Sequence, residues 1–257
     1  MTEIHKTAII DSRAEVAPGA RLGPYVVVEG PSRIGAGVEL GAHVVVGPFT
    51  DIHENCRIFP HAVVGMIPQD LKFGGEETTL EIGAGTTIRE FVTVNRGTRA
   101  SGATKIGRNC LLMAYAHVAH DCYVGDGVVM ANAATLAGHI EIGDFATVGG
   151  LSAIHQFARI GRYAFIGGMS RISQDIIPYA LVAGEPAKVV GVNLVGLTRR
   201  GFGDDVKQAL RRAYHILYRE DLNTAQALVK LAEELGGVAE VREIIDFVGR
   251  SERGILK

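Results

Sequence analysis

An aliphatic residue returns every six positions along the first two thirds of the chain. The frame starts at Ile4, Ile10, Val16 and Leu22 and holds to Val64. After a polar gap it returns at Ile82, Ile88 and Val94, and it then runs unbroken from Ile106 to Ile172. Of the twenty-nine slots from 4 to 172, twenty-six carry Ile, Leu, Val or Met; only Asp70, Glu76 and Ala100 fail. A period of six is neither the 3.6 of a helix nor the 2 of a long strand. It describes a short strand with one inward side chain followed by a turn, repeated and stacked at about 4.8 Å as a parallel β-solenoid. Glycine often follows the aliphatic residue, as in Leu22-Gly23, Ile82-Gly83 and Ile142-Gly143, and is expected to ease the turn.

Two polar, Gly/Thr-rich stretches interrupt the frame, at 66–79 (MIPQDLKFGGEETT) and 97–105 (GTRASGATK). They read as loops projecting from the solenoid, where function often sits. Beyond about residue 190 the period gives way to helical spacing, as in Val206, Leu210, Ala213 and Leu217, and again in Val241, Ile244, Ile245 and Val248. The expected organisation is a β-solenoid over 1–190 followed by a small α-helical domain over 191–257.

Composition narrows the function. A formal net charge of −2 over 257 residues argues against nucleic-acid binding. No apolar run approaches the roughly 18 residues of a membrane span, and MTEIHKTAII lacks the basic start of a signal peptide. Three scattered cysteines without CxxC spacing fit a reduced, cytoplasmic chain with no membrane insertion.

The chemistry concentrates in AHVAHDC, residues 116–122. His120, His139 and His155 are spaced by 19 and 16, close to one coil of 18, so they are expected to rise along one side with His117 beside them. His5, His43, His53, His61 and His215 stand in no such pattern. Asp121 directly after His120 suits a carboxylate that orients an imidazole base. Zinc is the rival reading of HxxHDC, as in the trimeric β-helix carbonic anhydrases, although turning backbone does not readily aim both histidines and Cys122 at one point. No serine or cysteine occupies a nucleophile setting, so general-base activation of a substrate hydroxyl with direct transfer is favoured, with no metal or other cofactor.

The hexad pattern resembles the hexapeptide-repeat acyltransferases, whose coils are triangular and left-handed, an exception to the usual crossover hand. The segments LLMAYAHVAHDC (111–122), LAGH (136–139), HQF (155–157), PQDLK (68–72), REFVTVNRGT (89–98) and GVNLVGLTRRGF (191–202) narrow the resemblance to the UDP-N-acetylglucosamine O-acyltransferases. That resemblance spans the chain. It implies a homotrimer that moves an (R)-3-hydroxyacyl group from the phosphopantetheine arm of acyl carrier protein to the sugar 3-hydroxyl, the first step of lipid A synthesis.

Roles implied by the resemblance fall on matching positions. His120 is the base, Asp121 its partner, and the Gly138 N–H the oxyanion donor. Gln69, Asp70, Lys72, His117, His139 and His155 hold sugar, phosphates or donor. Asn193, Arg199 and Arg200 reach the nucleotide. Gly168 stands where one residue limits acyl length. Asn95, Val195 and Pro186 depart from the family's usual histidine, glutamate and histidine, which leaves room for an acceptor with a 3-amino group. Among the basic residues of the tail, Arg211, Arg212 and Arg219 are expected to dock the acidic carrier protein.

Overall fold

In a computed structural model describing residues 2–257, the chain winds as a left-handed parallel β-helix of triangular section, followed by four helices. Three sheets of 11, 9 and 8 short strands form the faces, parallel throughout except for the last pair of the 11-stranded sheet. Their first strands are Glu3–Ile4, Ile9–Ile10 and Glu15–Val16. Each strand pairs with the one a full coil later, Glu3 with Arg21 and Ile4 with Leu22, so the register step is 18. The frame aliphatics point inward and stack on themselves. Leu22, Val28 and Ile34 begin three buried columns that rise through Leu112, Val118 and Val124.

The loops leave the frame intact because each adds a whole number of hexads. Ile52 pairs with Ile82 and Ile82 with Ile106, steps of 30 and 24. The first loop, 67–78, joins strands Val63–Met66 and Thr79–Ile82, and the second, 96–102, joins Thr93–Asn95 to Ala103–Ile106.

The corners differ from the expected glycine turns. Left-handed backbone falls three residues after the inward aliphatic, and most of these positions are not glycine: Tyr25, His43, Asn55, Phe91, Asn109, Asp121, His139 and Tyr163 all have φ between 52° and 64°. None of the non-glycine residues with positive φ is β-branched, as sterics require. The glycines directly after the aliphatic serve closeness instead. A Cβ at Gly83 would lie 2.6 Å from the carbonyl carbon of Gly107 in the next coil, and one at Gly107 would lie 2.5 Å from that of Gly125.

The solenoid ends in an antiparallel hairpin, Ala180–Ala183 with Lys188–Val192. Helices follow at Leu194–Arg199 (α1), Asp204–Tyr218 (α2), Thr224–Leu235 (α3) and Ala239–Gly249 (α4). Leu210, Ala213, Leu231, Val241 and Ile244 make their buried core. Tyr214 Oη donates to Val189 O at 3.1 Å, and Tyr179 Oη donates to the Glu243 carboxylate, fastening α2 and α4 to the solenoid's last coils. Among the described residues no helix is long and apolar enough to cross a membrane.

Candidate active site

His120 and Asp121 follow Val118 round the corner between the second and third faces, and His139 rounds the same corner one coil on. The His139 N–H donates to His120 O at 3.1 Å, which fixes the two coils against each other. The Asp121 side chain is completely enclosed. Its Oδ1 accepts from the N–H groups of Thr98 (2.9 Å) and Ser101 (3.3 Å) and from the Ser101 hydroxyl. Its Oδ2 accepts from Thr98 Oγ1 and from His120 Nδ1, both at 2.7 Å. Burial by itself raises the carboxyl pKa, but hydrogen bonds from Ser101, His120 and Thr98 outweigh it and hold Asp121 at about 2. A carboxylate fixed in this way keeps the proton of neutral His120 on Nδ1 and leaves Nε2 as the acceptor.

Gly138 has no side chain because the imidazole occupies that space: a Cβ would lie 2.6 Å from His120 Cε1 and 2.8 Å from Nε2. Among the described residues the chain offers the Gly138 N–H no acceptor, so a donor stands free beside the base. His139 lies edge-on to His120 at 5.1 Å, stacks on Phe157 at 4.6 Å and brings Nε2 to 3.7 Å from Asp121 Oδ2. Burial pushes its pKa below the ordinary imidazole value, against the pull of Asp121 and Asp70. His117 pairs through Nδ1 with Thr93 Oγ1 at 2.7 Å, and burial, then nearby His120, depress its pKa too. The corner is a base with its charged orienting group, flanked by two neutral imidazoles.

Not every expected residue joins this group. His155 is exposed, and its Nδ1 meets Arg253 Nη2 at 3.3 Å, away from the His120, Asp121 and His139 cluster. Cys122 is a core residue whose thiol donates to Ala137 O at 3.1 Å and is pushed up to about 12 by burial. His120, Asp121 and His139 do place one ligand atom each within 4.8 Å of one another. A metal bound there through Asp121 Oδ2 would compete with the hydrogen bonds that this oxygen accepts from Thr98 Oγ1 and His120 Nδ1. Thr98 and Ser101, which hold Asp121, escaped the reading of single motifs; their signal was a polar loop one coil below the HD pair.

The projecting loop 67–78 carries Gln69, Asp70 and Lys72. Asp70 turns it, with Oδ1 accepting from the Lys72 N–H at 2.9 Å. Asn95 is buried and fastens the loop's start, donating from Nδ2 to Ile67 O at 2.7 Å.

Asn193, Val195, Arg199 and Arg200 line a separate cleft of about 620 Å³ with Phe145 and Tyr163, at the corner that follows the third face. Asn193 caps α1, accepting from the Gly196 N–H at 3.1 Å, while its Nδ2 donates to Tyr163 O at 2.9 Å. Arg200 lies over the Phe145 ring at 4.3 Å. Gly168 lies at the remaining corner, where a Cβ would approach only Gly150 O at 3.1 Å, and Met169 beside it is 72% exposed. Of the tail cations, Arg212 is paired with Glu234 and Glu220 at 2.8 Å each. Arg211 and Arg219 remain exposed.

Residues 103–138 match the family model described as bacterial transferase hexapeptide (six repeats), and residues 175–256 match the second domain of UDP N-acetylglucosamine O-acyltransferase. The acyl-[acyl-carrier-protein]–UDP-N-acetylglucosamine O-acyltransferase of Thermodesulfovibrio yellowstonii is 46% identical over the whole of both chains, and that of Trichlorobacter lovleyi is 51% identical over 99% of each. Among solved structures, LpxA from Acinetobacter baumannii superposes with a TM-score of 0.96 at 46% identity, covering 99% of each chain. The UDP-N-acetylglucosamine O-acyltransferase (LpxA) of Moraxella catarrhalis gives 0.96 at 41%, again over 99% of each. With its hexad frame, its buried His120–Asp121 pair and its helical tail all inside those alignments, the chain belongs to the UDP-N-acetylglucosamine O-acyltransferase family.

Proposed function

We propose that the chain transfers an (R)-3-hydroxyacyl group from acyl carrier protein to the 3-hydroxyl of UDP-N-acetylglucosamine, opening lipid A biosynthesis. The buried His120–Asp121 pair carries the mechanism. His120 Nε2 takes the hydroxyl proton as the sugar oxygen attacks the thioester carbonyl, and Asp121 stabilises the imidazolium that results. The Gly138 N–H donates to the oxyanion of the tetrahedral intermediate. Collapse breaks the C–S bond, and His120 returns the proton to the departing pantetheine thiol. Neutral His117 and His139 add polar contacts without competing for that proton. Asp70, Lys72 and Gln69 grip the acceptor from the projecting loop.

The proposed subsites supply an argument for the homotrimer. The base, the Arg199–Arg200 cleft and Gly168 lie at three different corners of the prism, which six extended residues separate by up to about 20 Å. Sites shared between neighbouring copies bring such corners together. His155, exposed beside Arg253, is then available to a donor held between two chains. A carrier-borne donor supports the reading of a cytoplasmic enzyme.

The deciding experiment incubates purified protein with UDP-N-acetylglucosamine and hydroxyacyl carrier proteins of several lengths, and resolves products by mass. A 3-O-hydroxyacyl ester that forms equally well after chelation is expected. No ester at any length, or turnover lost to chelation and restored by zinc, overturns the reading.

A further inference from the structure

Among the described residues Arg96 is the only lysine or arginine that is buried, at 5% exposure. Its Nε and Nη1 reach no acceptor. Instead the guanidinium carbon lies 5.2 Å from the centroid of the Phe49 ring and 5.5 Å from that of Phe73. Phe49 belongs to the coil and Phe73 to loop 67–78. A guanidinium is weakly hydrated and stacks on aromatic faces, so two rings can take the place of hydrogen-bond acceptors. Burial lowers the guanidinium pKa, while the carboxylates of Glu76, Glu29 and Glu77 oppose the change. Those carboxylates would repel an anion, so the buried nitrogens do not form an anion site.

The position of Arg96 gives the stack a purpose. Arg96 comes two residues after Val94, which pairs with Val118, and His120 comes two residues after Val118. The base therefore follows the strand one coil above the strand that leads into the arginine. The backbone around Arg96 also holds both ends of the loop. Arg96 N–H donates to Met66 O at 3.0 Å, Gly97 N–H donates to Thr79 O at 3.1 Å, and Thr78 Oγ1 donates to Gly97 O at 2.5 Å. Thr98 and Ser101, immediately downstream, hold Asp121.

We infer that Arg96 is a positioning residue whose stack between Phe49 and Phe73 seats loop 67–78 so that Asp70 and Lys72 meet the acceptor beside His139. The inference rests on the reading of that loop as the acceptor's grip. Arg96 touches no reacting atom. It sets where the loop's polar groups stand when UDP-N-acetylglucosamine arrives, so its removal acts on acceptor binding more than on proton transfer.

The test is steady-state kinetics of the full chain carrying Arg96→Met, Arg96→Lys, Phe73→Leu or the Arg96→Met/Phe73→Leu pair, with Lys72→Ala alongside. Arg96→Met and Phe73→Leu should each raise the acceptor KM about tenfold with kcat and donor KM nearly unchanged, the signature of lost binding. The double variant should be no worse than the poorer single, because both remove one stack. Arg96→Lys keeps a cation between the rings and should recover part of the loss. Parallel changes in both KM values, additive singles, or an unchanged acceptor KM in Arg96→Met overturn the inference. If Arg96→Met does not fold, Phe73→Leu decides alone, and an unchanged acceptor KM there sinks it. Lys72→Ala separates the two levels: no effect on acceptor KM overturns the reading of the loop, whereas a raised KM beside a normal Arg96→Met overturns only the role of Arg96.

Discussion

At the first corner of the prism the left-handed residues begin with Tyr25, His43, His61, Phe91 and Tyr115; at the second they include Asp121, His139 and Phe157. The backbone is the same at both, with φ near 60°. What the side chains do is different. At the first corner the rings stack face to face at 4.9–5.0 Å, each on the next, in an exposed ladder with no polar clamp. Stacked pairs worth about 0.5–1.5 kcal/mol each offset the roughly 1–2 kcal/mol that a left-handed residue costs. At the second corner only His139 and Phe157 stack, and the coil below supplies Thr98 and Ser101 from an inserted loop. The repeat pre-sets one backbone at every corner. Chemistry arises where an insertion interrupts the ladder and brings hydrogen-bond donors to it.

The sharpest way to break that comparison is a single methyl group. Gly138→Ala puts a Cβ where the His120 ring lies, 2.6 Å from Cε1. The ring must leave its hydrogen bond to Asp121, so kcat should fall about 10²–10⁴-fold, the range expected for a lost general base, and His120→Ala should fall as far. Near wild-type turnover in Gly138→Ala would show that the imidazole's place is not required. Phe91→Ala, at the ladder corner, should lose stability of about 1–2 kcal/mol from two stacked neighbours and keep its kcat.

Next in size is the charge of Asp121. Its carboxyl lies at about 2 when folded, below its ordinary value of 3.8, so the folded chain binds that proton less readily than the unfolded one. It therefore contributes stability that is complete above about pH 4 and is lost as pH falls towards 2, on the order of 2 kcal/mol. Asp121→Asn should remove that part of the acid dependence, seen as a flatter curve of melting temperature against pH below 4. The variant should also lose kcat more than a hundredfold, because an amide no longer holds the imidazole in one tautomer. An unchanged acid limb would mean that other carboxylates carry it.

The solenoid was legible because one aliphatic per hexad fills one buried column, and insertions of twelve and six residues preserve the count. The His120–Asp121 pair was legible because the two residues are adjacent. The expected stack of three histidines was less so. Spacings of 19 and 16 place His120, His139 and His155 at different points of the turn, and only the first two meet. The grip on Asp121 depends on how loop 96–102 folds back, and the pairing of Arg212 with Glu220 and Glu234 joins two helices. Neither contact leaves a mark in local spacing.

The upper end of the ladder corner offers a smaller effect. There the rings give way to Ala133, Leu151 and Met169, and Gly168 adds no side chain beside the exposed Met169, where a groove for an acyl chain could run. Gly168→Met should cap that groove. Shortening it by two carbons costs a longer chain about 1.6 kcal/mol, roughly fifteenfold in relative kcat/KM, while short donors still react. A length profile that does not move would place the acyl chain elsewhere.

The smallest effect belongs to the helical tail, which docks near the third corner through Tyr179 and Phe202. Its cations divide into two kinds. Arg212 is held by Glu234 first and Glu220 second, and those hydrogen bonds raise its pKa. Arg211 and Arg219 stand exposed on the same helical segment. Long-range attraction to an acidic carrier protein acts through the exposed charges and weakens with salt. Arg211→Glu with Arg219→Glu should therefore raise the carrier KM about three- to tenfold at low salt, with the gap closing as ionic strength rises, and leave the acceptor KM alone. Arg212→Glu should act differently, lowering the melting temperature by placing a third carboxylate beside two others while adding little to the salt dependence. Kinetics at two salt concentrations, read beside thermal melts of both variants, check the division. If the exposed pair leaves the carrier KM unchanged at low salt, the carrier docks on another surface.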